Sequence, residues 1–234
     1  MKITWFGHAA FRLDFMETSV LIDPFLTGNP AFTGDFGAAT AGVSHVLLTH
    51  GHGDHVGDAV AIARMNDATV VANADLAAWL GMQGVARLEP MNTGGTVHFD
   101  GFTVSMVRAD HSSGMMQDGA SVYLGNANGL IVKSAGGPTV WHMGDTDIFS
   151  DMGLIAELHR PDVVIVPIGD RFTMGPETAA VAVARYLGGL TIIPAHYATF
   201  GLLEPNAGRF VSLVGEEARV VVPEKGMPVA FSRS

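Results

Sequence analysis

One run of seven residues constrains this chain more than anything else in it. Thr49-His50-Gly51-His52-Gly53-Asp54-His55 places three imidazoles and a carboxylate directly after the apolar stretch Val46-Leu47-Leu48, where a strand gives way to a loop. So many donors in so short a span need a strand end that opens onto a glycine-relieved loop, because there the side chains can wrap round an ion. His50 and His52, two apart in an extended segment, can point the same way toward one ion. Asp54 and His55 come one turn later and are placed to serve a second. The chain has no cysteine, which excludes disulfides, zinc ribbons, iron–sulfur clusters and thiol nucleophiles together. Any metal must be held by His and carboxylate, donors that suit zinc and also manganese, iron or nickel.

With 48% hydrophobic and 15% charged residues over 234 positions, the chain has ample material for a core and too little charge for disorder. Thirteen Lys and Arg against 23 Asp and Glu give a net charge of −10 with no basic patch, so a nucleic-acid polymer is not an expected partner. Met1–His8 carries no apolar signal-peptide region. The longest apolar runs, such as Val163–Ile168, are strand-sized, well short of the roughly 20 residues of a membrane span. The expectation is a soluble, cytoplasmic protein with a small-molecule substrate and no membrane partner, with homo-oligomerisation left open.

Short β-branched and aromatic runs bounded by turn residues predict strands over Lys2–Phe6, Phe11–Phe15, Ser19–Ile22, His45–Thr49, Ala68–Val71, Val85–Glu89 and Thr103–Val107. Gly57–Met65 and Asp75–Gly81 read as helices. Ser121–Leu124 and Leu130–Ser134 read as a hairpin across Asn126-Ala127-Asn128-Gly129. Further strands are expected over Thr139–His142, Asp162–Pro167, Leu190–Pro194, Val220–Val222 and Val229–Ser232. Phe149–Leu158, Pro205–Val214 and Pro176–Leu187 are the later helices. The last has Pro176 at its first position, Glu177 at its positive end and Gly188-Gly189 to stop it. Two mixed β halves with interspersed helices and no linker predict a single α/β domain over residues 1–234. Its sheets pack face to face with helices outside, as a four-layer αββα sandwich.

The H-x-H-x-D-H run resembles the signature of the metallo-β-lactamase superfamily of hydrolases, and later candidates, His111, Asp145 and His196, follow predicted strands at spacings similar to that family's. Gly7-His8-Ala9, Leu21-Ile22-Asp23-Pro24-Phe25, Phe172-Thr173-Met174-Gly175-Pro176-Glu177 and Pro194-Ala195-His196-Tyr197 resemble one branch of it. That branch is the uncharacterised metal-dependent hydrolases related to ascorbate-6-phosphate lactonase, and more distantly to the N-acylphosphatidylethanolamine phospholipase. The resemblance implies the same αββα sandwich and a two-metal site. His50, His52 and His111 would hold one divalent ion, Asp54, His55 and His196 the other, and Asp145 would bridge them. It implies hydrolysis of an ester, lactone or phosphodiester of a small molecule by a hydroxide shared between the two ions, with Asp54 orienting it. A nuclease-like phosphodiesterase and a non-catalytic metal-binding protein are the competing readings, the second weakened because all seven ligands are present.

His8 is expected to act as a catalytic residue, touching the substrate or the bound water, with turn capping as the plain alternative. Asp23, ending a buried-looking strand, is placed to accept an N–H from a ligating imidazole and so fix its tautomer. Arg171 is a candidate for binding a phosphate or carboxylate of the substrate, against the commoner surface arginine. Tyr197 either reaches the pocket or packs. Asp110, His45, His98, His142 and His159 read as structural, and Met115-Met116 as a flexible apolar loop near His111.

Overall fold

The computed structural model of the chain describes residues 1–233. The first seven-stranded sheet contains β1 (Lys2–Trp5), β2 (Phe11–Phe15), β3 (Thr18–Ile22), β4 (His45–Leu47), β5 (Thr69–Asn73) and β6 (Leu88–Met91) in that order. Four helices fall within this half: α1 (Phe36–Thr40), α2 (Gly53–Val56), α3 (Ala59–Asn66) and α4 (Ala74–Met82). The second seven-stranded sheet begins with β7 (Thr96–Phe99) and β8 (Phe102–Arg108). A separate two-stranded sheet, β9 (Gly114–Gln117) and β10 (Ala120–Tyr123), interrupts it in sequence. It resumes with β11 (Asn128–Ser134), β12 (Thr139–His142), β13 (Val163–Pro167), β14 (Thr191–Ala195) and β15 (Arg219–Val220). Here the helices are α5 (Met152–His159), α6 (Pro176–Ala182), which widens into a π turn over Val183–Leu187, and α7 (Gly208–Val214). The last strand, β16 (Pro228–Ala230), returns to the first sheet beside β1.

Alternation along the strands makes the layers. Ile22, Leu47 and Val71 join the core between the sheets, while their neighbours Leu21, Val46, Leu48, Val70 and Ala72 join a second cluster with Ile62 and Leu76 from α3 and α4. Successive strand residues point to opposite faces, so β3, β4 and β5 are apolar on both, as a covered parallel sheet requires. Each such wholly buried aliphatic side chain stabilises the fold by about 1.5–3 kcal/mol. On the other side Val104, Met106, Leu130 and Val132 face the same inter-sheet core, and Ala179, Ala182, Val183 and Leu187 cover the second sheet from outside. The result is the expected αββα sandwich.

Strand directions place the functional end. β3 and β4 run parallel, and β1 runs the same way because two antiparallel pairings, through β2, separate it from β3. By the same reasoning β8 runs with β12, β13 and β14. The segments that follow β1, β3, β4, β8, β12 and β14 carry His8, Asp23, His50–His55, His111, Asp145 and His196, and the Thr49 carbonyl accepts from the Asn128 amide at 3.0 Å to join the sheets there.

The expected hairpin between Ser121–Leu124 and Leu130–Ser134 does not form. Leu130–Val132 are buried in a central strand that pairs with β8 and β12, whereas β10 pairs with β9 across Asp118-Gly119, both at positive φ (50° and 80°). That Asp-Gly pair is the better hairpin turn. Asn126 belongs instead to a segment docked on Asn73, whose Nδ2 donates to the Leu124 and Asn126 carbonyls. Met115-Met116 is therefore part of a strand, not a flexible loop.

The ligand-bearing turn α2 depends on Gly57. There φ is +43°, and a Cβ would stand 2.5 Å from the Pro24 oxygen and 2.6 Å from Phe25 Cα. Gly42 has φ +67° but open space around it. Gly42→Ala should cost about 1–2 kcal/mol of left-handed strain, and Gly57→Ala at least about 3 kcal/mol because overpacking adds to it. Urea unfolding of metal-free protein reads both, and equal losses would contradict the tight docking of α2 on the Pro24 segment.

Candidate metal centre

The His-rich run leaves β4 through Thr49 and closes as the short turn α2, whose first residues carry Asp54 and His55. Asp23 lies beside it because β3 pairs with β4 in parallel register, Ile22 opposite Leu47. Its Oδ1 accepts from the Thr49 amide at 2.9 Å, and its Oδ2 accepts from the Thr49 hydroxyl at 2.6 Å and from His55 Nδ1 at 2.8 Å. Because the Thr49 proton goes to Asp23, its oxygen accepts from His50 Nδ1 at 2.9 Å. One buried carboxylate thus fixes a proton on Nδ1 of both imidazoles and turns both Nε2 atoms toward the centre.

Those Nε2 atoms meet further donors. His50 Nε2 lies 2.9 Å and His111 Nε2 3.3 Å from His52 Nδ1, and these three residues form one candidate ligand group. Asp145 Oδ2 lies 3.1 Å from His196 Nε2, 3.3 Å from His55 Nε2 and 3.6 Å from His111 Nε2. His55 and His196 group with Asp54 and His8, and Asp145 with His50 and His55. Donors round a tetrahedral ion at about 2.0–2.1 Å stand roughly 3.3 Å apart, so these separations are those of ligands aimed at a common point.

Hydrogen bonding does not account for the cluster. His55 Nε2, both ring nitrogens of His196 and Asp145 Oδ1 are buried without a hydrogen-bond partner, although oppositely charged or basic atoms stand close by. Each buried polar atom left so costs about 1–3 kcal/mol, which a cation at their centre would relieve. Imidazole and carboxylate donors in this arrangement fit a divalent cation.

The electrostatics set the protonation of these residues unequally. Burial pushes His50 well below the ordinary imidazole range and lowers His52 and His111, so all three are neutral near pH 7, the form that binds metal. Burial also opposes a charge on His55, but the Asp145 and Asp23 carboxylates outweigh it and hold its pKa well above the usual value. Burial raises the Asp145 pKa, yet His196 and His55 prevail and keep it well below the carboxylate range.

His8 stands behind Asp54 rather than at the surface. It is wholly buried, with Nε2 3.0 Å from Asp54 Oδ2 and Nδ1 3.0 Å from Thr199 Oγ1, while Asp54 keeps 34% of its side chain exposed. Burial lowers its pKa to about 4, so a neutral His8 donates from Nε2 to Asp54 and accepts from Thr199. The His8 ring therefore meets the centre through Asp54 and leaves no side-chain surface open to solvent. Tyr197 packs 5.0 Å from Trp5 in the core, and burial raises its pKa to about 12. Arg171 is exposed in the loop after β13 and makes no hydrogen bond or ion pair among the described residues. His142 is buried, its Nε2 3.0 Å from the Ala9 carbonyl and its Nδ1 accepting from the Gly144 amide at 3.0 Å.

Sequence reasoning misses Thr199 and the role of Thr49. Thr49 had a signal, since it directly precedes His50 at a strand end; Thr199 had none, because only the return of the chain past β14 brings it to His8.

Residues 2–196 match the β-lactamase superfamily domain. The chain is 62% identical over 97% of its length to a UPF0173 metal-dependent hydrolase of Azorhizobium caulinodans, covering 98% of that protein. It is 56% identical over 99% of its length to a UPF0173 metal-dependent hydrolase of Agrobacterium fabrum, covering 100% of it. Among solved structures, that of Igni18, a metallo hydrolase from Ignicoccus hospitalis, is similar with a TM-score of 0.87 and 31% identity, covering 99% of this chain and 98% of the other. With donors that fit a divalent cation gathered at the strand ends of an αββα sandwich, the chain belongs to the UPF0173 metal-dependent hydrolases of the β-lactamase superfamily.

Proposed function

We propose that the protein hydrolyses an ester, lactone or phosphodiester of a small molecule at a centre of two divalent ions, zinc being the first candidate. His50, His52 and His111 would hold one ion, Asp54, His55 and His196 the other, and Asp145 would bridge them. The observation that carries this reading is the position of Asp145 Oδ2, within 3.6 Å of nitrogens from both ligand groups. Such a pair, when bound, supplies Lewis acidity and lowers the pKa of a shared water from about 15.7 to near 7. The chain's own residues do the rest. Asp23 sets the tautomers of His50 and His55 through Thr49. Asp54 is half-exposed at the mouth, with Oδ2 held by His8 and Oδ1 left to orient the attacking water. No Ser or Tyr hydroxyl and no Lys amine need act as nucleophile. The location is proposed to be cytoplasmic; among the described residues no helix is long and apolar enough to cross a membrane.

Metal analysis of protein purified without chelator should approach two ions per chain, and Asp145→Asn should fall to one or fewer. A stable wild-type value of one would remove the bridge. An activity screen over lactones, thioesters and phosphodiesters then identifies the bond cleaved. On the best substrate Asp54→Ala should lose at least about a hundredfold in kcat. The same variant should keep the ion on His50, His52 and His111. His8→Ala should lower kcat as well, because Asp54 would turn freely, and near-wild-type turnover in both variants would exclude the water-orienting role.

His55 has a raised pKa in the metal-free protein and so carries its extra proton at pH 7. Ligation through Nε2 must expel it, so metal binding should release about one proton and tighten as pH rises. Calorimetry in buffers of different ionisation enthalpy counts it. Asp23→Asn, which removes one of the two carboxylates holding that proton, should release less and bind roughly 10–100-fold more weakly. Unchanged proton release in Asp23→Asn would show that His55 is not the source.

A further inference from the structure

We infer that the β9–β10 hairpin is the specificity wall of the metal centre and holds an uncharged, apolar part of the substrate beside His52, an inference that rests on the hydrolase reading above. A cavity of about 470 Å³ opens there, between His52 and Ser112 on one side and Met115, Met116, Ser121 and Tyr123 on the other. That volume lies in the range of small-ligand pockets.

The register of the hairpin explains what faces the cavity. Met116 stands opposite Ser121 and Gly114 opposite Tyr123, so Met116, Ser121 and Tyr123 share one face, while Met115 and Val122, on the other, pack against the helix-side core and border the cavity from there. The shared face leaves Met116 69% and Tyr123 68% exposed. Two large apolar side chains exposed together at the mouth of a polar centre mark a surface that a ligand covers.

The wall is fixed to the metal loop. Ser113 Oγ accepts from the amide of Gly51, the residue between His50 and His52, at 3.0 Å and donates to the Leu124 carbonyl at 2.9 Å. Trp79 Nε1 on α4 donates to Gln117 Oε1 at 2.8 Å at the far end. A hairpin alone would be marginal, and these ties hold it in register with His52. Ser112 Oγ lies 3.2 Å from His52 Nε2, so the serine also holds the ligating ring.

Charge selects the ligand class. Apart from the His52 imidazole, no ionisable group lines the cavity except the Tyr123 phenol, and no Lys, Arg, Asp or Glu does. Arg171, expected as an anion contact, is not among the lining residues. A charged substituent placed here would lose hydration without a counter-ion, whereas an alkyl or aryl group would lose none and would cover Met116 and Tyr123.

The test reads binding separately from turnover. Metal-loaded protein labelled at its methionine methyl carbons is titrated with 4-phenylbutan-1-ol and with 4-phenylbutylammonium. The Met115 and Met116 methyl signals should move saturably with the alcohol, and the cation should bind at least about tenfold more weakly. Tyr123→Ser and Met116→Ser, both at exposed positions, should weaken the alcohol by about tenfold with metal content and melting temperature unchanged, and Tyr123→Phe should restore it. Methyl signals that do not move, equal affinity for the cation, or unchanged binding in Tyr123→Ser would overturn the inference. Protein that binds the alcohol at the hairpin yet hydrolyses nothing in the screen would sink the hydrolase reading alone.

Discussion

A carboxylate with no access to solvent, Asp23, holds the metal site together. It receives an amide, a hydroxyl and an imidazole proton, and through Thr49 it governs a second imidazole. Buried ionised carboxylates are costly unless their lone pairs are filled, and this one is filled by the residues whose orientation the site needs. The arrangement turns a loop of flexible histidines into two rings with fixed tautomers. Without it neither ring of His50 and His55 would have a fixed Nδ1 proton or a fixed orientation.

Backbone strain accompanies that order. His8, Asp23, His196 and Ala198 all adopt positive φ, between 45° and 63°, at the strand ends that form the centre. Non-glycine residues pay roughly 1–2 kcal/mol for this conformation. Cross-links hold them there: the Asp23 amide donates to the Leu47 carbonyl, and the His196 amide and the Trp5 indole both donate to the His8 carbonyl. The packed sandwich supplies the rigidity, and the strained residues aim the side chains.

Burial then decides protonation. Six of the ten histidines, His8, His50, His52, His55, His111 and His196, gather at this end of the fold. Were they exposed they would repel one another as they charged. Desolvation instead keeps His8, His50, His52 and His111 neutral, whereas the Asp145 and Asp23 carboxylates hold a positive charge on His55. A chain of net charge −10 thereby offers a cation the neutral imidazoles of His50, His52 and His111 and the ionised Asp145, beside a cavity whose lining holds no Lys, Arg, Asp or Glu.

The local sequence determined much of this. Alternating apolar strands that begin and end at turn residues give the two sheets. The crowding of His50, His52, Asp54 and His55 after β4 announces metal chemistry, and Asp23 is legible as their partner because it ends a strand of the same kind. These are features of short range, governed by side-chain period and turn chemistry. What the chain could not reveal locally is which strands pair. The Ser121–Leu124 run looks like a partner for Leu130–Ser134 until the central position of β11 between β8 and β12 takes both its edges, leaving β10 to pair with β9 and become the wall of the cavity. In the same way the sequence placed His8 and Tyr197 near the site, but the packing of Trp5, Thr199 and Asp54 around them decided that one would hold a ligand and the other would fill the core. Pairing and packing are settled by contacts between residues far apart in the chain, where burying one face of a strand against another outweighs any local preference.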